Sequence, residues 1–202
     1  MLKILLLMKI WKPKLMVFTA FTFCLSAGAQ VKFPVTNNGL RNDLQKVIAD
    51  FPNDFSNLKG DILIENPQTI EYVSLLNFSG AEDNTITKYN ASKSIYSWQA
   101  TMLTTEEFSD AEIKYKWLFN QLKNMTINIG DYSFSLYGDY DQPDESRKFS
   151  TTTFRLIPGA INLPKLKIEI AMQYEFPDWK VVLQVYQKER EDNERGPITE
   201  IP

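Results

Sequence analysis

The chain has no histidine and a single cysteine, Cys24, among its 202 residues. Those two shortages close off a good deal of chemistry. A serine or cysteine nucleophile has no imidazole to activate it. A Cys/His zinc site lacks its ligands, and an internal disulfide lacks its second thiol. Glycine is scarce as well, with eight residues and no two spaced as G-x-G. A Gly-rich dinucleotide loop is therefore missing, as are the G-x-x-x-x-G-K-[ST] and G-x-S-x-G patterns. No motif implies a cofactor. Positive charge is also in short supply: 22 Lys and Arg stand against 25 Asp and Glu, for a net charge of −3.

What basic charge there is concentrates at the start. Residues 1–29 hold Lys3, Lys9, Lys12 and Lys14, the only cysteine and no acid. An apolar run over residues 15–27 follows the lysines and is broken only by Thr19, Thr22 and Ser26. It ends in Ala27-Gly28-Ala29. A basic start, a short apolar run and small residues at the cut are the marks of an export signal. The expectation is a signal peptide over residues 1–29 with cleavage before Gln30, and Met8 already begins a complete signal. A spanning helix needs about 20 apolar residues, more than this run supplies. Phe21-Thr22-Phe23 is too bulky for a lipoprotein box before Cys24. The remainder is free of cysteine and histidine and four charges more acidic than the whole. It is expected to be periplasmic or extracellular. A surface of that sign does not suit a nucleic-acid backbone or, once the signal is removed, an anionic membrane. The partner expected is an unidentified protein or small molecule.

Residues 30–37 read as a linker and 38–187 as one domain, large enough to support its own core. Leu40, Leu44, Val47, Ile48 and Phe51 recur at helical spacing, with Asn37 or Asn38 as N-cap and Pro52 as the stop. Phe55 and Leu58 are expected to tuck the next loop onto the core. Strands follow over 61–65, 70–78 and 95–103; residues 85–89 alternate too briefly to count as more than a candidate. Phe108, Ala111, Tyr115, Leu118, Phe119 and Leu122 then trace a second helical stripe. Thr104 with Glu107, or Ser109 with Glu112, offers a capping box for it.

The last third reads as sheet: 131–137, 149–157, then 166–176 and 179–187. Leu166, Ile168, Ile170, Met172, Tyr174 and Phe176 alternate with a face that is mostly polar, and Trp179, Val181, Leu183 and Val185 alternate again. One face in the core and one in water belongs to antiparallel sheets. The expected fold is therefore α+β, two helices on a mainly antiparallel sheet in the order α-βββ-α-ββββ. Residues 188–202 form a charged tail. Gly60-Asp61 and Gly130-Asp131 sit 70 positions apart, but the two halves share almost nothing else.

The remaining chemistry rests on carboxylates, serine, lysine and tyrosine. Ser56-Asn57-Leu58-Lys59 matches S-x-x-K but lies past Pro52, in a loop, without the accompanying Ser-Asp-Asn and Lys-Thr-Gly elements. Asp139, Asp141, Asp144 and Glu145 crowd one loop and are the candidate metal ligands, because hard cations take several carboxylate oxygens. Pro143 breaks the EF-hand spacing, and a charged hairpin tip explains the cluster as well. Glu65 with Glu71, and Glu169 with Glu175, are the carboxylate pairs a hydrolase would need. The second pair lies about 20 Å apart along one strand, too far for glycoside chemistry. Tyr96, Trp98, Trp117, Tyr174 and Trp179 fall on or beside core-facing phases. Val182 and Tyr186 fall on the phase opposite Trp179, where they cover a second layer or form an exposed patch. No residue qualifies as catalytic. The function expected is a non-catalytic binding or interaction module, with a carboxylate-dependent hydrolase and a calcium-dependent binder as alternatives.

Overall fold

The computed structural model describes residues 37–90, 95–159 and 165–187. The expected signal, most of the linker and the charged tail lie outside those residues. Among these residues are two α-helices and nine strands: α1 (Asn37–Asp50), β1 (Lys59–Glu65), β2 (Thr69–Ser74), β3 (Asp83–Tyr89), β4 (Ile95–Thr105), α2 (Phe108–Leu122), β5 (Thr126–Ile129), β6 (Tyr132–Tyr137), β7 (Phe149–Ile157), β8 (Leu166–Glu175) and β9 (Asp178–Gln187). The α+β class and the antiparallel sheet are as the sequence implied, but there are two more strands than α-βββ-α-ββββ allows. The candidate segment 85–89 is the inner part of β3, a full sheet member. β5 is new. It is four residues long and joins β6 through a two-residue turn at Gly130-Asp131, with φ +59 at Gly130. Four residues with two isoleucines give too short an alternation to read.

The sheet order is β1-β2-β3-β4-β9-β8-β7-β6-β5, every neighbour antiparallel. Each half is a helix followed by a meander, and the last strand of each, β4 and β9, meet at the centre. β1 and β6 thus hold equivalent places, with Gly60 in one and Gly130 just before the other. The two glycines do different work. Gly130 takes a left-handed turn, whereas at Gly60 a Cβ would come within 3.0 Å of Leu75 and 3.1 Å of the Val73 carbonyl. Their matched spacing reflects topology without a shared local need.

The core forms because two helical stripes land on one face of this sheet. Leu40, Leu44, Val47 and Ile48 of α1 and Ala111, Tyr115, Leu118 and Leu122 of α2 are buried against Ile86, Trp98, Ile168, Ile170, Val181, Leu183 and Val185. α2 lies over β4, β8 and β9, and α1 lies against β5. Phe55 is fully buried and Leu58 partly so, as expected for the loop after Pro52. Strand β2 ends sooner than its apolar run does. After Ser74 the chain leaves the sheet, and Phe78 turns inward to lie 5.0 Å from the Trp98 ring. The helix starts also differ. α1 already includes Asn37 and Asn38. The N-cap of α2 is Glu107 without a side-chain cap bond, and Thr105 Oγ1 instead accepts from the Glu107 amide at 3.1 Å. Among the described residues no helix is long and apolar enough to cross a membrane.

Two buried acids tie the first helix down. Asp43 of α1 accepts from Ser79 Oγ at 2.6 Å and from the Ser79 amide at 3.0 Å, across 36 residues, with Lys46 at 3.0 Å on its other oxygen. Burial pushes its carboxyl up, but the Ser79 bonds and Lys46 outweigh that and hold it below its ordinary value. Asp50 closes the end of α1 by accepting from the Asn57 amide at 3.0 Å and from Asn53 Nδ2 at 3.1 Å.

Candidate functional site

The acidic loop between β6 and β7 does not gather its carboxylates. Asp139 accepts from the Tyr137 hydroxyl at 3.0 Å. Asp141 faces the Arg147 guanidinium at 3.2 Å, and its own amide donates to Thr152 Oγ1. Asp144 caps the short 3-10 turn Glu145–Arg147, accepting from Ser146 N at 2.9 Å and Oγ at 2.7 Å. Those Ser146 bonds hold its carboxyl below the ordinary range. Glu145 lies exposed in that turn. Among the described residues no three carboxylates come together as a metal would need. The loop is tied by its own cation, Arg147, and by local turns.

The other candidates are equally dispersed. Ser56 is exposed, and Lys59 opens β1 with its ammonium 5.1 Å from the Tyr72 ring and 5.0 Å from the Tyr96 ring, a cation–π sandwich. In the β1–β2 hairpin Ile64 pairs with Glu71 and Glu65 with Ile70, so the two glutamates point to opposite faces. Glu169 accepts from Thr153 Oγ1 at 3.1 Å and from the Tyr186 hydroxyl at 3.0 Å, whereas Glu175 is held by Lys180 and Gln173. Burial, with Glu169 alongside, pushes the Tyr186 hydroxyl up to about 12. Val182 is only 1% exposed, although it lies on the outer face. Val182 and Tyr186 therefore form no apolar strip. Trp98 and Trp179 are buried, and Tyr96, Trp117 and Tyr174 pack partly buried against the core.

A cleft the sequence did not reveal lies where α1 begins and α2 ends. It encloses about 360 Å³ and is lined by Asn38, Arg41, Asn120, Gln121, Lys123, Asn124, Met125 and Thr126. Asn38 and Arg41 are three apart and so share a helical face. Asn120 and Gln121 come from the last turn of α2, Lys123, Asn124 and Met125 from the connection that follows, and Thr126 from the start of β5. That connection is tied at every residue. The Lys123 amide donates to Phe119 O at 2.8 Å, Asn124 to Leu136 O at 3.0 Å, and Met125 to Leu122 O at 2.9 Å. Asn124 holds φ +63, a left-handed conformation that asparagine tolerates better than most residues. The lining has two cations, four side-chain amides and no carboxylate, in a chain whose net charge is negative. No hydrogen bond commits these side chains to other described residues. In sequence they read as an ordinary solvated helix face, because nothing local says that two such faces converge.

The two ends of the sheet differ. At β5 the Asn128 amide donates to Gln45 Oε1 at 2.7 Å and its carbonyl accepts from Gln45 Nε2, so a side chain of α1 stands in for a further strand. At β1 no described strand or side chain does so. There Ile62, Leu63 and Ile64 are 56, 50 and 51% exposed, and Leu75 nearby is 67% exposed. No family model, curated protein or solved structure matches the chain.

Proposed function

We propose that this is an exported, non-catalytic binding protein whose cleft between α1 and α2 takes a small anionic, hydroxyl-rich ligand such as an acidic sugar. The observation that carries the reading is the lining. Arg41 and Lys123 supply charge for a carboxylate, and Arg41 can grip it with two parallel donors. Asn38, Asn120, Gln121 and Asn124 supply paired donors and acceptors, which match vicinal hydroxyls. A volume of about 360 Å³ lies in the range of small-molecule sites. The lining has no carboxylate or phenol to move protons, which favours binding over the hydrolase alternative. Export is supported by the lysines, apolar run and Ala-Gly-Ala of residues 1–29. Mass spectrometry of the protein recovered from its host should find Gln30 at the N-terminus.

The test is a thermal melt with galacturonate or glucuronate against glucose. A ligand that binds only the folded state raises the melting point. The acidic sugars should do so, glucose should not, and Arg41→Ala/Lys123→Ala should abolish the shift without lowering the unliganded melting point. Equal shifts from acidic and neutral sugars, no shift from either, or a shift that survives the double substitution would refute the proposal.

A further inference from the structure

The bare end of the sheet carries a second, independent inference. β1 is the most exposed strand of the nine and pairs only with β2. Edge strands in soluble proteins are usually short, charged or covered, because unpaired backbone groups beside apolar side chains recruit another strand. The opposite edge obeys this rule through Gln45. β1 breaks it with three consecutive apolar residues about half exposed, and Val73 and Leu75 of the neighbouring segment extend the patch. Two bulges, between Lys59 and Ile62 and between Ile62 and Ile64, twist the strand without burying any of these side chains.

The charges along β1 say what fits it. The strand reads Lys59-Gly60-Asp61-Ile62-Leu63-Ile64-Glu65, basic at one end and acidic at the other. A second copy laid antiparallel about Ile62 sets Lys59 opposite Glu65 twice, Asp61 opposite Leu63, and Ile62 against itself. Moving the axis one residue, to Leu63, would set Asp61 opposite Glu65, a repulsive pair. The segment is thus self-complementary in one register and penalised in the next. A two-fold axis of this kind produces a closed dimer rather than an open fibre.

We infer that β1 is the interface for a second copy of this chain, the two sheets joining edge to edge with Ile62 on the two-fold axis. The apolar side chains of the hairpin supply the contact area. The outward-facing backbone groups find partners in the same step.

The near absence of cysteine makes this directly testable on the protein recovered from its exporting host. Sedimentation at tens of micromolar should give twice the chain mass. Leu63→Asp, an exposed substitution that places a carboxylate opposite Asp61 on both sides of the axis, should give the single mass with an unchanged circular-dichroism spectrum. Ile62→Cys should cross-link to its copy under mild oxidation, since directly opposed strand residues lie within disulfide reach. Ser133→Cys, on the strand next to the opposite edge, should not. A monomer at these concentrations would overturn the inference, whether the edge then holds the chain's own residues 31–36 or a different protein. A dimer that survives Leu63→Asp, or equal cross-linking at 62 and 133, would overturn it as well.

Discussion

Asp43 offers the sharpest test of how the first helix is held. Its carboxylate takes both the hydroxyl and the amide of Ser79, at 2.6 and 3.0 Å, and is 7% exposed. Asp43→Ala would leave those two Ser79 donors unpaired in a part-buried site. A hydrogen bond to a charged group contributes about 1.5–3 kcal/mol. Both Ser79 bonds end on one oxygen and are not additive, so the loss should be about 2–4 kcal/mol. Lys46 adds little, because its side chain is 58% exposed and such pairs contribute at most about 1 kcal/mol. For a domain of this size each kcal/mol moves the melting point by about 2–4 °C, so the variant should melt about 5–15 °C lower at pH 7. The pH dependence has a definite sign. The folded carboxyl lies below its ordinary value of 3.8. Its contribution is therefore complete above the unfolded value and disappears as pH falls through the folded one. Melts followed by circular dichroism from pH 7 down to about 2.5 should show the parent and variant converging at the acid end. Asp43→Ala melting with the parent at pH 7, or a gap that stays constant to the lowest pH, would refute the reasoning.

Two further expectations follow from the same packing. Leu118 is fully buried on α2, so Leu118→Asp should cost more than about 3 kcal/mol, through the lost packing and an unpaired buried charge; an unchanged melting point would mean that α2 does not cover the sheet. Calcium at millimolar levels should leave the melting point where it is, because Asp139, Asp141 and Asp144 each face a different partner; a rise in the melting point would show that the loop rearranges to gather them.

The sequence by itself determined the elements whose pattern is local. The α1 and α2 stripes and the alternation of β8 are periodic over ten or more residues and that of β9 over seven, and a one-residue slip in either strand would turn its apolar set to the solvent face. Pro52 was legible as the stop of α1 because proline restricts the backbone where it stands. The ends of β2 and the existence of β3 and β5 were decided by tertiary contacts. Phe78 leaves the sheet to meet Trp98, β3 is held by neighbours on both sides, and β5 is held by Gln45 from 83 residues away. The geometry of the candidate sites lay almost wholly on that second level. In the acidic loop Asp141 faces Arg147 and Asp144 accepts from Ser146, pairings that the spacing alone does not record. The Arg41–Lys123 cleft and the β1 edge, which no described residue covers, arise only when distant segments converge or fail to. No periodicity records such an arrangement, because it depends on which faces meet and not on what any one of them contains.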